Sequence, residues 1–137
     1  MTNEDYKVVC GADALQVIDQ SDQTNLERAE RHAIGEIGSY LLNRYNMPLA
    51  YAKVGEERNE FLIALTCDVA LWHLIAAMPR KMGYDIRKER YERAIEWLTL
   101  AQKGNVSIEL PAKTDSSGNE TGTGIRFGSI DPSQYDW

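Results

Sequence analysis

The sequence predicts an all-α fold: a small helical bundle of three main helices plus a short N-terminal helix, followed by a C-terminal β-strand and an extended tail. Three stretches carry apolar residues at steps of three and four, and prolines or glycines separate these stretches. A short alternating segment follows the last of them. Beyond it the chain turns polar and then aromatic, which is typical of a tether that ends in an apolar segment.

The first two predicted helices lie in the N-terminal third. Leu15, Val17 and Ile18 favour a short helix from Ala12 to Gln20, ahead of the polar segment SDQTN. Thr24 and Glu27 have the spacing of a capping box, which predicts a helix from Asn25 to Tyr45. Its apolar residues recur at helical spacing: Leu26, Ala29, Ala33, Ile37, Tyr40 and Leu41.

Two prolines, Pro48 and Pro79, mark expected helix boundaries in the middle of the chain. Asn46, Met47 and Pro48 are expected to end the first long helix, because proline disfavours the α conformation before it and cannot continue the hydrogen-bond ladder. A polar connection then runs to Gly55. The span from Glu56 to Met78 is nearly free of helix breakers and strongly apolar, so it predicts the most buried helix, which Pro79 stops.

The third long helix and the strand follow. Asp85 can cap a helix that Lys103 and Gly104 close. Asn105 to Leu110 alternates apolar and polar residues, as a strand with one buried face does. A lone strand needs an edge to pair with, and this edge could belong to another subunit.

The composition changes at Pro111, which divides the chain into a helical domain, residues 1–110, and a linker with a docking tail, residues 111–137. The linker is polar throughout. The tail brings apolar side chains back, and we expect them to anchor it, either to a neighbouring subunit or to a different protein, since aromatic residues are uncommon in segments that stay disordered. A frayed, undocked tail is the alternative. The expected anchors are Ile125, Phe127, Ile130, Tyr135 and Trp137.

Charge narrows the classes of partner. The formal net charge of −6 argues against a protein that grips nucleic-acid phosphates. Residues 1–30 carry two basic residues against seven acids, whereas residues 80–103 carry seven basic residues against four acids. Such opposed ends could dock like subunits side by side, although solvated helix faces would show the same pattern. With no long apolar run and no signal-peptide pattern, we expect a soluble protein made in the cytoplasm, with reduced cysteines as core residues.

The residues give little support for catalysis. His32 and Glu36 are one helical turn apart and could supply two metal ligands, but a surface pair is the commoner meaning of this spacing, and the sequence alone completes no ligand shell. His73 is expected to be a core or interface histidine. Cys67 lies six residues from it, so the two would point apart on a straight helix. We therefore predict no enzyme activity, no metal and no cofactor.

Three motifs together resemble a known family. Tyr40, Leu41, Arg44, Tyr45, Pro48 and Leu49 match a Y-L-x-x-R-Y-x-x-P-L pattern at the end of a helix. Cys67, Asp68, Ala70 and Leu74 match a C-D-x-A-x-x-x-L pattern, and Arg90, Tyr91, Ala94, Trp97 and Leu98 match R-Y-x-x-A-x-x-W-L. This order resembles the Mu-like family of small phage proteins that are regarded as head-tail joining proteins.

The resemblance implies a structural head-tail connector, or adaptor, subunit of a tailed phage or prophage. Such subunits form a ring of roughly a dozen copies under the portal protein, contact a tail-side completion or terminator protein, and let DNA pass without specific binding. The expected location is the head-tail interface of the virion, after assembly in the host cytoplasm, with no membrane contact. The family pattern also implies a structural role for Tyr40, Arg44 and Tyr45, with Arg44 paired to Asp68 across two helices.

Two other classes of function remain open at this point. One is a small helical phage-encoded binding module or regulator that acts on a host protein. The other is a metal-dependent enzyme centred on His32. The size of the assembly distinguishes the connector from the regulator, because a ring is a large assembly, whereas a regulator of one host protein is a monomer or dimer. Metal content tests the enzyme.

Overall fold

The protein is described by a computed structural model, which covers residues 1–11, 18, 23–76, 84–114 and 120–121. Within these residues the chain is helical, as predicted. Five α-helices, one 3-10 turn and one two-stranded hairpin occur there: α1 Asn3–Cys10, α2 Gln23–Leu41, α3 Met47–Ala52, the 3-10 turn Gly55–Glu57, α4 Glu60–Ala76, α5 Tyr84–Gln102, β1 Lys113–Thr114 and β2 Glu120–Thr121. No helix in the described part of the chain is both long and apolar enough to cross a membrane.

Helix α1 lies earlier than the N-terminal helix that the sequence predicts. Thr2 accepts a hydrogen bond from the Asp5 backbone amide, and the Asp5 carboxylate accepts one from the amide of Thr2, so the two residues form a capping box. Gly11 follows with φ of 86°, a conformation that favours glycine. The predicted helix from Ala12 to Gln20 lies outside the described residues except for Ile18, which is helical and buried.

Helix α2 confirms the predicted period but has different ends. Leu26, Ala29, Ala33 and Ile37 form its buried stripe. It begins at Gln23, so Thr24 lies inside the helix and is not its cap. It ends at Leu41, four residues before the predicted end at Tyr45, and a turn covers residues 42–44.

The segment around Pro48 follows α2 and begins the short helix α3. The polar connection that the sequence predicts from this point to Gly55 is therefore partly helical. The side chain of Asn46 accepts a hydrogen bond from the Leu49 amide and caps α3. Pro48 lies in the first turn of α3, where its missing amide hydrogen costs nothing, because the first amides of a helix have no partner within it.

Helix α4 is buried on nearly all sides, as its continuous apolar sequence predicts. Ten of its 17 residues are buried, and Val69, Ala70 and Leu71 are fully enclosed. It begins at Glu60, later than predicted, because Asn59 caps it by accepting a hydrogen bond from the Leu62 amide. The described helix ends at Ala76; Pro79 lies outside the described residues.

Helix α5 confirms the third long predicted helix. It runs beside α4, which also packs against α1, so α4 is the centre of this core. At its end Gly104 has φ of 85°, and the Asn105 amide donates to the carbonyl of Leu100, as in a glycine-terminated helix.

The predicted strand from Asn105 to Leu110 is wrong. These residues bend after Gly104 and then continue in backbone that pairs with no strand among the described residues. The described strand pairing occurs later, where Lys113 is opposite Thr121 and Thr114 is opposite Glu120.

The chain divides into two units. The first holds Met1–Tyr40 and Asn59–Ser107, and the second holds Leu41–Arg58 and Ile108–Trp137. In the second unit Ala112 forms an antiparallel bridge with Tyr45, and the Asn46 amide donates to the carbonyl of Pro111 at 2.8 Å. The predicted division into residues 1–110 and 111–137 remains a prediction.

Candidate functional site

An ion pair joins three helices of the first unit. Asp68 on α4 accepts two hydrogen bonds from the guanidinium of Arg90 on α5, at 2.8 Å from Nε and 3.3 Å from the second terminal nitrogen. That terminal nitrogen also donates to the backbone carbonyl of Val9 in α1, at 3.2 Å. Two-pronged, charge-assisted contacts of this kind fix geometry as well as adding energy. The pair therefore holds α1, α4 and α5 in register.

Arg90 was not identified as the partner of Asp68 from the sequence, which pointed to Arg44. Arg44 belongs to the second unit, and its pairing with Asp68 stays a prediction. The available signal was that Arg90 belongs to the same face of α5 as Ala94 and Leu98, one and two turns later. A charge on an apolar face needs a partner, and Asp68 is the acid within the buried helix.

Replacing Arg90 with alanine is expected to destabilise the protein by about 1–3 kcal/mol, because the mostly buried Asp68 carboxylate loses its guanidinium. The loss is smaller than that for a fully buried pair, because the Arg90 side chain is 36% exposed and solvent screens the interaction. Urea denaturation measures the difference. Arg93→Ala is the matched control: Arg93 pairs only one turn away with exposed Glu89, so its loss should change stability by less than about 0.5 kcal/mol. Equal effects of the two substitutions would contradict the structural role of Arg90.

A second polar cluster joins α2, α4 and α5. Glu36 on α2 has one carboxylate oxygen 2.7 Å from Nε2 of His73 and the other 2.7 Å from the hydroxyl of Tyr91, which donates to it. The rings of His32 and His73 stack with centroids 4.0 Å apart and nearly parallel planes. His73 also contacts the Tyr91 ring edge-to-face. Four polar side chains from three helices thus meet at one place.

The electrostatics of this cluster keep Tyr91 protonated. Burial, the hydrogen bond to Glu36 and the negative charge of Glu36 together raise the pKa of Tyr91 to about 12. The phenol therefore acts as a lasting hydrogen-bond donor to Glu36 at physiological pH.

The sequence identified two residues of this cluster as a pair but did not predict which other side chains contact them. His32 and Glu36 were recognised as a pair one turn apart, and His73 was predicted to be a core or interface histidine. The structure brings all three together: their ligand atoms lie within 4.8 Å of one another. Cys67 is a buried thiol, as predicted; the side chain of Cys10 lies outside the described residues.

A groove of about 330 Å³ runs between α4 and α5. Phe61 and Trp97 meet edge-to-face in its wall, with ring centroids 4.8 Å apart, and Leu65 and Ala94 add apolar surface. Its polar residues are Asp68 and Arg90, which pair with each other, and Arg93, which is largely exposed. Aromatic and arginine side chains are the usual carriers of binding energy at protein interfaces, so this groove is the candidate partner site.

The predicted basic surface of α5 is smaller than its composition indicates. Arg87 is buried and Arg90 is used in the ion pair, while Arg93 remains largely exposed. The predicted anchors of the tail, Ile125, Phe127, Ile130, Tyr135 and Trp137, lie outside the described residues.

The fold and these contacts define a small helical protein whose core is organised around one largely buried helix, with polar contacts between helices. A family model described as Bacteriophage Mu, Gp36 matches residues 2–126, nearly the whole chain. The chain belongs to this Mu-like family of phage proteins, as its motifs predict. A search of curated proteins gave no match, and a search of solved structures gave none either.

Proposed function

We propose that this protein is a structural head-tail connector subunit of a tailed phage or prophage, which assembles into a ring under the portal protein. The observation that carries the proposal is the family match over residues 2–126, together with the head-tail role to which the motifs of this family point. The proposed work of the subunit is mechanical and not enzymatic. It bridges the portal and a tail-side completion or terminator protein at the head-tail interface of the virion, and its ring lets DNA pass.

The surface is compatible with a subunit that has partners. Large apolar side chains are exposed on both units; single exposed apolar residues are normal on a protein surface, so they provide area for a contact without locating it. These side chains are Val8, Ile34, Leu42, Leu49, Val54, Phe61, Ile86 and Leu100. The net charge of −6 also suits a ring through which DNA moves without adhering.

We assign the groove between α4 and α5 to the C-terminal tail of a neighbouring copy. The tail offers Phe127, Tyr135 and Trp137 to the aromatic wall, and Asp131 and Asp136 to the exposed Arg93, whose contact with Glu89 one turn away is weak because solvent screens it. A free chain of 11 residues, the length of the polar segment from Thr114 to Gly124, reaches on the order of 18 Å, and the pairing of Thr114 with Glu120 shortens this reach, so the partner surface must lie close to the end of the hairpin, as an adjacent subunit does. Once subunits are neighbours in a ring, tethering makes modest affinity sufficient.

The test is the size of the assembly. Light scattering coupled to size exclusion, with negative-stain imaging, should show rings for the full chain, alone or when mixed with its portal protein. Truncation after Lys113 should leave the helical content unchanged and abolish these rings. A full chain that stays monomeric or dimeric under both conditions would instead favour a regulator of a host protein.

Arg93→Glu tests the groove without disturbing the core, because the Arg93 side chain is 73% exposed. It should prevent ring formation while the melting temperature stays nearly constant. Lys88→Glu is the matched control, because Lys88 is an exposed cation on the same helix that does not line the groove. Rings that persist in the Arg93 variant would contradict the assignment of the groove.

A further inference from the structure

Both histidines of the chain meet at one site. The sequence contains only His32 and His73, 41 positions apart, and the fold stacks their rings beside the carboxylate of Glu36. One ligand atom from each residue lies within 4.8 Å of the other two. Among the described residues this is the group of histidine, cysteine and acidic side chains that could hold a metal ion.

We propose that His32, Glu36 and His73 bind a divalent transition-metal ion of the zinc class. Two imidazole nitrogens and one carboxylate oxygen form a ligand set that suits zinc and related ions, and the remaining coordination position is left to water. Hard cations such as magnesium prefer oxygen ligands, so two nitrogens disfavour them. The site needs no residue from another chain, and it is independent of the proposed ring.

The backbone places the ligands for this task. His32 and Glu36 are one turn apart on α2, so their side chains project from the same face toward α4. His73 meets them from α4, and its Nε2 is already 2.7 Å from Glu36. The two rings are stacked and nearly parallel, whereas a metal ion lies in the plane of each imidazole that binds it. The exposed His32 ring must therefore turn about its side-chain torsions until its nitrogen is about 3.3 Å from that of His73, the separation of two nitrogens bound tetrahedrally to one zinc ion. A bound ion would therefore link α2 to α4.

The surroundings provide both support and access. The Tyr91 hydroxyl donates to the second oxygen of Glu36 and orients the carboxylate, which is the usual arrangement around metal ligands. His32 is exposed, and an open groove lined by Asn25, Arg28 and Leu74 leads to both histidines. Arg28 places a positive charge near the site, which should weaken the binding of a cation.

The experiment is a calorimetric titration of the full chain, freed of any histidine tag, with Zn²⁺. We expect one ion per chain and, on replacing Zn²⁺ by Co²⁺, the visible absorption of tetrahedrally bound cobalt. His32→Asn, Glu36→Gln and His73→Asn should each weaken Zn²⁺ binding tenfold or more. Tyr91→Phe should weaken it about tenfold through the loss of orientation. Arg28→Ala should strengthen it.

Glu27→Gln is the matched control, because Glu27 is an exposed acid on the same helix and outside the site; its affinity for Zn²⁺ should equal that of the unsubstituted chain. Zn²⁺ should also raise the melting temperature of the unsubstituted chain but not that of His32→Asn. His32 is exposed, so this variant keeps its fold and the comparison stays valid. Absence of Zn²⁺ binding by the full chain, or equal binding by His32→Asn, would overturn the proposal.

Discussion

Replacing Tyr6 with alanine is expected to lower the free energy of unfolding by about 3–5 kcal/mol, the largest effect of the substitutions considered for stability. Tyr6 is 1% exposed, and its helix α1 packs on α4. The substitution removes the aromatic ring from this contact and also the hydrogen bond that the Tyr6 hydroxyl donates to Glu30, at 2.6 Å. Urea denaturation followed by circular dichroism measures the change.

Val8→Ala is the matched control, because Val8 lies on the same helix and is 77% exposed. It changes the helix propensity of α1 without removing a buried side chain. Its stability should stay within about 0.5 kcal/mol of the unsubstituted chain. Tyr6→Phe should cost about 0.5–1.5 kcal/mol, the usual contribution of one hydrogen bond. If Tyr6→Ala were as mild as Val8→Ala, the docking of α1 on α4 would be incorrect.

Replacing Leu71 with alanine is expected to cost about 2–5 kcal/mol. Leu71 is fully buried at the middle of α4, so its loss removes apolar contacts and leaves a cavity that the surrounding helices fill only in part. The same denaturation measurement applies. Leu49→Ala is the matched control, because this leucine is 48% exposed and its removal leaves no enclosed cavity. A small loss for Leu71 would show that α4 is not at the centre of the core.

Elements that depend on neighbours in the sequence were predicted well. The burial of α4 follows from a nearly continuous apolar run, which leaves little of the helix that favours solvent. The buried stripe of α2 follows from apolar residues at steps of three and four, and the end of α5 follows from a glycine that tolerates positive φ. Helix α1 was missed, although Thr2 and Asp5 carry the spacing of a capping box.

Local signals also have more than one structural meaning. The alternation of Asn105 to Leu110 matched a strand, yet a strand requires a partner edge, and such an edge is a property of the fold and not of the segment. Pro48 predicted the end of a helix and in fact lies in the first turn of the next one, because the same missing amide hydrogen is compatible with both positions.

By itself the sequence determined the helical class, the central buried helix and the membership of a phage family, since periodicity, punctuation and motif order are all local or linear properties. Only the tertiary structure decided which polar side chains meet. Asp68 on α4 contacts Arg90, which lies 22 positions later on α5. Glu36 on α2 contacts His73 on α4 and Tyr91 on α5. The physical reason is that such contacts depend on the rotation and crossing of packed helices. Packing of the apolar faces sets that geometry, and no spacing within a single segment specifies it.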